Sequence, residues 1–510
     1  MVVNSSPDRH EHDPVVRTAG GSLAGTWSGP LAVFRGIRFA EPPVGEHRFR
    51  APEPVSRWDG VRPATEFGPP PPQPVSFVDT DIDADATDWL TLNVWTPALD
   101  RRSMLPVMVW LPGGAYVVGG SGFPEYDGGH LTGHDVVVVT VNYRLGFEGF
   151  GWIEGAPANR GLLDQVAALA WVQENIRSFG GDPDRVTVFG QSAGGGSVAA
   201  LLATPRASGL FRRAIAQSVP GTFLTPELAA DIATAFADEL NKRPTVSDLT
   251  QVPPMDLVAA GEAVSAAMAA HSAQWGQITH RPIPLAPIVD GDVLPMTPWE
   301  ALSQGRGRDI DLLVGHTRDE HRLFSLLDGV LGEVTAAQTD SALRVLAPGS
   351  DGPQRFRESF PAASDEELYE LVNEDWLFRM PSRHLADAQI AGGGRAFLYE
   401  LTMDAPGMGG VLGACHGFDV PLVFGNLDAG RPAMLIGDPI PPAVTELSAR
   451  MGAAWTAFAA HGDPGWPAFD VEAELTQVFD AVAVVTRYPE QGSRMLWQDH
   501  PFAALPLLSP

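Results

Sequence analysis

Gly190-Gln191-Ser192-Ala193-Gly194 is a stretch whose residue types and spacing can do chemistry. A serine held at the apex of a sharp strand-to-helix turn exposes its hydroxyl as a nucleophile. Glycines on either side let the backbone close without Cβ clashes. The pattern alone is common: with 54 glycines in 510 residues, chance supplies ~0.3 matches in such a chain. Its setting is more specific. Val186-Thr-Val-Phe189 reads as a strand entering the turn, and Gly195 to Ala203 reads as a helix of small residues leaving it. A serine hydroxyl also needs a base to take its proton and an acid to orient that base. With 13 histidines and 62 acidic residues available, spacing alone selects neither.

The elements that must position this serine are legible around it. Pro106-Val-Met-Val-Trp-Leu111 and Val136-Val-Val-Val-Thr-Val141 are continuously apolar, as strands covered on both faces are. Between the second of these and Val186 lies Leu162 to Ile176, where Leu163, Val166, Ala167, Ala170 and Trp171 recur at helical spacing. Strand, crossover helix, strand is the grammar of an α/β sheet. The Ala/Leu/Glu-rich pieces Pro226–Ser272 and Ala336–Gln389 predict helical insertions over the sheet, at about 220–285 and 325–395. No linker composition divides residues 15–510, so they read as one domain behind a flexible arm of residues 1–14.

Composition excludes several chemistries. The net charge is −28, a surface that repels phosphate backbones and anionic lipid, so neither nucleic acid nor membrane is expected as a partner. Lys242 is the single lysine and has no Gly-rich approach, which removes a Walker-type phosphate loop and disfavours a lysine Schiff base. Cys415 is the single cysteine, so no intrachain disulfide and no Cys-based metal site can form. Asp79, Asp81, Asp83 and Asp85 alternate like the start of a calcium loop. However, Ala84 and Leu90 stand where that loop needs Gly and Glu, and a solvated acidic loop is expected instead. Pro69 to Pro74 reads as a stiff polyproline loop. His10-Glu11-His12 lacks further metal ligands. No metal or organic cofactor is expected. With no apolar leader visible, the expected compartment is the cytoplasm.

Longer matches point further. Gly161-Leu-Leu-Asp-Gln165, Phe179-Gly-Gly-Asp-Pro183 and Val186-Thr-Val-Phe-Gly-Gln-Ser-Ala-Gly-Gly195 together resemble the type-B carboxylesterase family. This is the carboxylesterase/cholinesterase branch of the α/β-hydrolases, and the likeness leans toward its bacterial para-nitrobenzyl-esterase-like members. Phe34-Arg-Gly-Ile37, Ala40-Glu-Pro-Pro-Val-Gly45, Leu92-Asn-Val-Trp-Thr-Pro97, Val141-Asn-Tyr-Arg-Leu-Gly146 and Pro287-Ile-Val-Asp-Gly291 extend it over roughly residues 15 to 500. The resemblance implies an α/β-hydrolase fold, a mostly parallel central sheet flanked by helices. It also implies Ser192 as nucleophile. Gly315-His-Thr-Arg-Asp319-Glu320-His321 matches the family's acid segment and implies Glu320 as the orienting acid. Gly413-Ala-Cys-His416-Gly-Phe418 matches its histidine loop and implies His416 as the base.

By the same resemblance, Pro112-Gly113-Gly114-Ala115-Tyr116 is the oxyanion turn, with backbone N–H donors from Gly114, Ala115 and Ala193. Tyr116, Phe324 and Phe418 are then candidate pocket walls. The chain departs from the family at three places. Pro112 stands where many relatives have His or Tyr, Trp89 replaces a disulfide cysteine, and His321 replaces a glycine after the acid, to perturb that acid or to point away from it. The implied reaction is hydrolysis of a small-molecule carboxylic ester through an acyl-serine. An amidase or carbamate hydrolase would use the same triad, and a non-catalytic relative would share the fold.

Overall fold

The computed structural model describes residues 12–75, 86–281 and 283–508. The N-terminal arm through residue 11 and the acidic loop of Asp79, Asp81, Asp83 and Asp85 lie outside the described residues. Fourteen strands occur among the described residues, in chain order β1 (Val15–Arg17), β2 (Ser22–Ala24), β3 (Thr26–Ser28), β4 (Leu31–Arg38), β5 (Val61–Pro63), β6 (Thr91–Thr96), β7 (Leu105–Leu111), β8 (Val137–Val141), β9 (Gly181–Gln191), β10 (Arg213–Gln217), β11 (Asp311–Thr317), β12 (Arg395–Leu401), β13 (Leu475–Phe479) and β14 (Val484–Arg487). β1, β2 and β5 form a small sheet; the other eleven form one large sheet in the order β14-β13-β12-β11-β10-β9-β7-β8-β6-β4-β3. Its centre, from β8 to β13, is parallel, and both margins turn antiparallel.

The continuous apolarity of the central strands has a direct cause. Side chains alternate across a strand, and both faces of this sheet are covered. Val107, Val109 and Leu111 of β7 enter one apolar core with Val137, Val139 and Val141 of β8. Met108, Trp110 and Val138 enter the core on the other face. The helix predicted after β8 spans Arg160–Asn175, but its buried face runs through Leu162, Gln165, Ala168, Leu169 and Val172, and Ala170 is exposed. Polar partners explain that rotation. Asp164 receives two hydrogen bonds from the Arg144 guanidinium at 2.8 and 2.7 Å, and Gln165 donates to Ser197 at 3.0 Å. A buried polar group with a partner occupies the interior as well as an alkyl group does, so apolar spacing alone misplaces the face.

Helices fill both long connections over the sheet: Pro226–Glu239 and Pro254–Ala267 between β10 and β11, and Ala336–Leu346, Asp365–Glu374 and Met380–Ala391 between β11 and β12. Among the described residues, no helix is long and apolar enough to cross a membrane.

Candidate active site

β9 ends at Gln191 and the helix Ala193–Ala203 begins one residue later. Ser192 is the corner between them, with φ 58° and ψ −126°. Such a conformation costs a non-glycine residue about 1–3 kcal/mol. Neighbouring bonds hold it: the Ser192 N–H donates to the Gln217 carbonyl at 2.9 Å, and its own carbonyl accepts from Gly196 at 2.8 Å. The flanking glycines are steric requirements. A Cβ on Gly190 would stand 2.6 Å from Gly194 backbone, and one on Gly194 would stand 2.1 Å from the Leu111 carbonyl oxygen.

The turn after β7 packs against this corner. A Cβ on Gly113 would lie 2.6 Å from the Gln191 carbonyl oxygen and 3.3 Å from Ser192 Cβ. Gly114 has φ +115°, and Ala115 and Tyr116 follow with φ 57° and 62°. The buried Gln73 side chain staples the turn, accepting from Gly119 N–H at 2.9 Å and donating to its carbonyl at 2.8 Å. Tyr143 donates its hydroxyl to the Pro112 carbonyl at 2.5 Å, so Pro112 is anchored through its C=O and needs no N–H. Among the described residues, no acceptor takes the N–H groups of Gly114, Ala115 or Ala193.

Glu320 and His416 come from loops after β11 and β12. The wholly buried Glu320 places Oε2 2.5 Å from His416 Nδ1, while its Oε1 accepts from Ser218 Oγ at 2.6 Å and from the Thr317 N–H at 2.9 Å. Burial pushes this carboxyl's pKa upward, but the charge and hydrogen bond of His416, with the bonds from Ser218 and Thr317, hold it below the ordinary carboxylate value. A carboxylate on Nδ1 makes that nitrogen the donor and leaves the Nε2 lone pair directed elsewhere. The Gln191 side-chain amide lies 3.2 Å from Nε2, next to Ser192 in sequence. Phe378 stacks on the imidazole at 4.2 Å between centroids, and Phe324 packs on it at 5.1 Å.

The neighbours of Glu320 and His416 separate cleanly. Asp319 faces away from the imidazole and links the two loops: its N–H donates to the Ala414 carbonyl at 3.0 Å, and its carboxylate accepts from the Ala414 N–H at 2.8 Å and from Arg318. His321 points away from Glu320, toward Ser325 Oγ at 3.2 Å and the Tyr369 ring. Burial, aided by Arg281, holds it well below the usual histidine pKa, hence neutral. Cys415 is wholly buried, and burial, with Glu320 nearby, pushes its thiol up to about 12. Trp89 is buried, and Asp88 beside it pairs with Arg38 at 2.5 Å. Of the three aromatic candidates for pocket walls, Phe324 packs on His416. Tyr116 packs into the core against Phe150, and Phe418 is wholly buried in the core on the opposite face. Both belong to tight turns whose aromatic side chains are drawn inward by burial.

Ser218, Gln191, Phe378 and Arg281 escaped the sequence reading. Ser218 alone left a local signal, since it follows the last residue of β10 at the carboxyl edge of a parallel sheet, where ligand sites gather. A surface cavity of about 540 Å³ opens at the opposite edge of the sheet, near Arg212 and Asp309, and contains none of these residues.

A strained serine between strand and helix, on a mostly parallel sheet with helices on both faces, defines an α/β-hydrolase of the serine type. The family model described as the carboxylesterase family matches residues 12–482. The para-nitrobenzyl esterase of Bacillus subtilis is 37% identical over 494 residues, covering 94% of this chain and 97% of that protein. The fumonisin B1 esterase of Sphingopyxis macrogoltabida is 34% identical, covering 90% of this chain and 85% of that protein. Among solved structures, a carboxylesterase of Geobacillus stearothermophilus superposes with a TM-score of 0.83 at 37% identity, over 95% of this chain and all of that one. The chain belongs to the carboxylesterase family and is a serine hydrolase of carboxylic esters.

Proposed function

We propose that Ser192, His416 and Glu320 are the catalytic triad, and that Gly114, Ala115 and Ala193 are the oxyanion donors. The carrying observation is the Glu320 Oε2–His416 Nδ1 contact, which leaves the imidazole's other nitrogen as the base; that nitrogen lies 3.2 Å from the side-chain amide of Gln191, the residue before Ser192. In this reading His416 Nε2 takes the proton of Ser192 Oγ as that oxygen attacks the ester carbonyl carbon. The carbonyl oxygen becomes an oxyanion facing the three free N–H groups. Such preorganised donors contribute about 2.7–4 kcal/mol each when tested by removal. His416 then returns the proton to the departing alcohol. It next activates a water that releases the acid from Ser192, while Glu320 holds the tautomer and stabilises the imidazolium.

The substrate of this reading is a small-molecule ester; amides and carbamates would pass through the same steps. The cytoplasm remains the proposed compartment, supported by the single unpaired thiol, and recovery of the protein from a secreted fraction would overturn it. A fluorophosphonate should label Ser192 alone, and Ser192→Ala should abolish both labelling and turnover of para-nitrophenyl butyrate. Labelling at another residue, or full turnover by the variant, sinks the assignment. A panel of para-nitrophenyl esters beside anilides and carbamates then ranks the substrate classes by kcat/KM.

A further inference from the structure

Among the described residues, Arg281 is a buried arginine whose guanidinium has no hydrogen-bonding or ion-pairing partner. It follows the short helix Gly276–His280 in the insertion between β10 and β11 and is 6% exposed. No described residue gives its guanidinium a hydrogen bond or an ion pair, and its Nε is enclosed and unbonded. What it does touch is a ring. The guanidinium carbon lies 3.8 Å from the centroid of Phe324, and Phe324 packs on His416. The cation therefore stands one aromatic ring away from the base of the proposed triad.

Burying an unpaired charge is strongly unfavourable even after relaxation. Other buried arginines of this chain avoid that cost, Arg144 against Asp164 and Arg383 against Glu474. The cation–π contact with Phe324 returns only part of that cost. Burial pulls the Arg281 pKa down to about 10, with Asp328 and Tyr369 opposing it, so the guanidinium stays charged at neutral pH. A charged fork of N–H donors from which no described residue accepts a hydrogen bond, one ring from the proposed base, matches the planar, two-oxygen geometry of a carboxylate.

We propose that Arg281 is a specificity-determining residue that binds a free carboxylate on the substrate, so that the preferred esters are anionic. The inference rests on the triad reading, since His416 locates the reaction centre. The chain's net charge of −28 repels anions at long range, so the preference must arise at this one buried cation and persist at high salt.

The test compares matched ester pairs on the wild type, Arg281→Gln and Arg281→Lys. Mono-para-nitrophenyl glutarate against para-nitrophenyl valerate places the carboxylate on the acyl side. 4-Carboxyphenyl butyrate against phenyl butyrate places it on the alcohol side. Hydrogen bonds to charged groups contribute about 1.5–3 kcal/mol. Arg281→Gln should therefore lower kcat/KM on one anionic ester by roughly 10- to 150-fold, mainly through KM. The neutral esters should stay close to wild type, and Arg281→Lys should recover part of the loss. Glutarate should inhibit the wild type competitively and lose that effect in Arg281→Gln. Equal losses on neutral and anionic esters would reduce Arg281 to a prop for Phe324 and overturn the proposal. So would a wild type that does not favour either anionic ester. Fluorophosphonate labelling of Ser192 keeps the two readings apart: normal labelling without charge preference sinks Arg281 alone, whereas an unlabelled wild type sinks the triad with it.

Discussion

Ser218 donates a 2.6 Å hydrogen bond to Glu320 Oε1, the carboxylate oxygen that does not face His416. The two residues are 102 positions apart in the chain, and the bond leaves Oε2 as the oxygen that meets the imidazole. Its loss would leave a wholly buried carboxylate short of one donor, at about 1.5–3 kcal/mol for a bond to a charged group. Ser218→Ala should lower kcat roughly tenfold with little change in KM, and should lower the melting temperature. Ser218→Thr, which keeps the hydroxyl, should lose less. An alanine variant with unchanged kcat would show that Thr317 suffices to orient Glu320.

Two adjacent carboxylates, Asp319 and Glu320, allow a sharp comparison. Glu320→Gln removes the charge against His416 Nδ1, and kcat should fall on the order of 10⁴-fold, as amide replacement of a triad acid does. Asp319→Asn leaves that charge in place and weakens the tie to the Ala414 N–H. Its expected signature is lower thermal stability with a far smaller loss in kcat. Steady-state kinetics on one activated ester, beside melting curves, separates them. A deeper kcat loss in Asp319→Asn would reverse the assignment.

Cys415 precedes the proposed base, yet its thiol is buried and held up to about 12 by that burial. The thiolate that alkylating reagents need is therefore scarce at neutral pH. Iodoacetamide should leave the native enzyme active and unlabelled, and Cys415→Ala should keep most of the activity. Rapid inactivation on alkylation of the folded protein would contradict this.

Glu400 on β12 supplies a pH dependence. Burial first, and then the charge of Glu490, push its carboxyl up to about 8. Between the unfolded value near 4.3 and that folded value, the native state holds a proton that the unfolded chain has released. Stability from this group is therefore complete at low pH and declines as pH rises toward 8. Glu400→Gln carries no proton to lose. Relative to the wild type it should melt progressively higher as pH rises from about 5 to 9, and differential scanning calorimetry across that range reads the trend. A constant offset at every pH would show that Glu400 is not the titrating group.

The local parts of this protein were legible in its residue order. Val137–Val141 and Leu105–Leu111 announce covered strands because both faces of each are apolar. Gly190 and Gly194 announce the sharp turn at Ser192 because a Cβ at either would strike backbone. Resemblance, rather than spacing, selected Glu320 and His416. Tertiary structure alone decided what lies across gaps of 96 residues between Glu320 and His416 and 225 between Gln191 and His416. It turned Asp319 away, added Ser218, drew Tyr116 and Phe418 into the core, and left Arg281 unpaired beside Phe324. The physical reason is the reach of the forces involved. Backbone sterics and the alternation of side chains act over a few residues and leave a mark in sequence. The direction of one loop side chain depends on the packing of β10, β11 and β12 and of the helices over them, and no short stretch of residues records it.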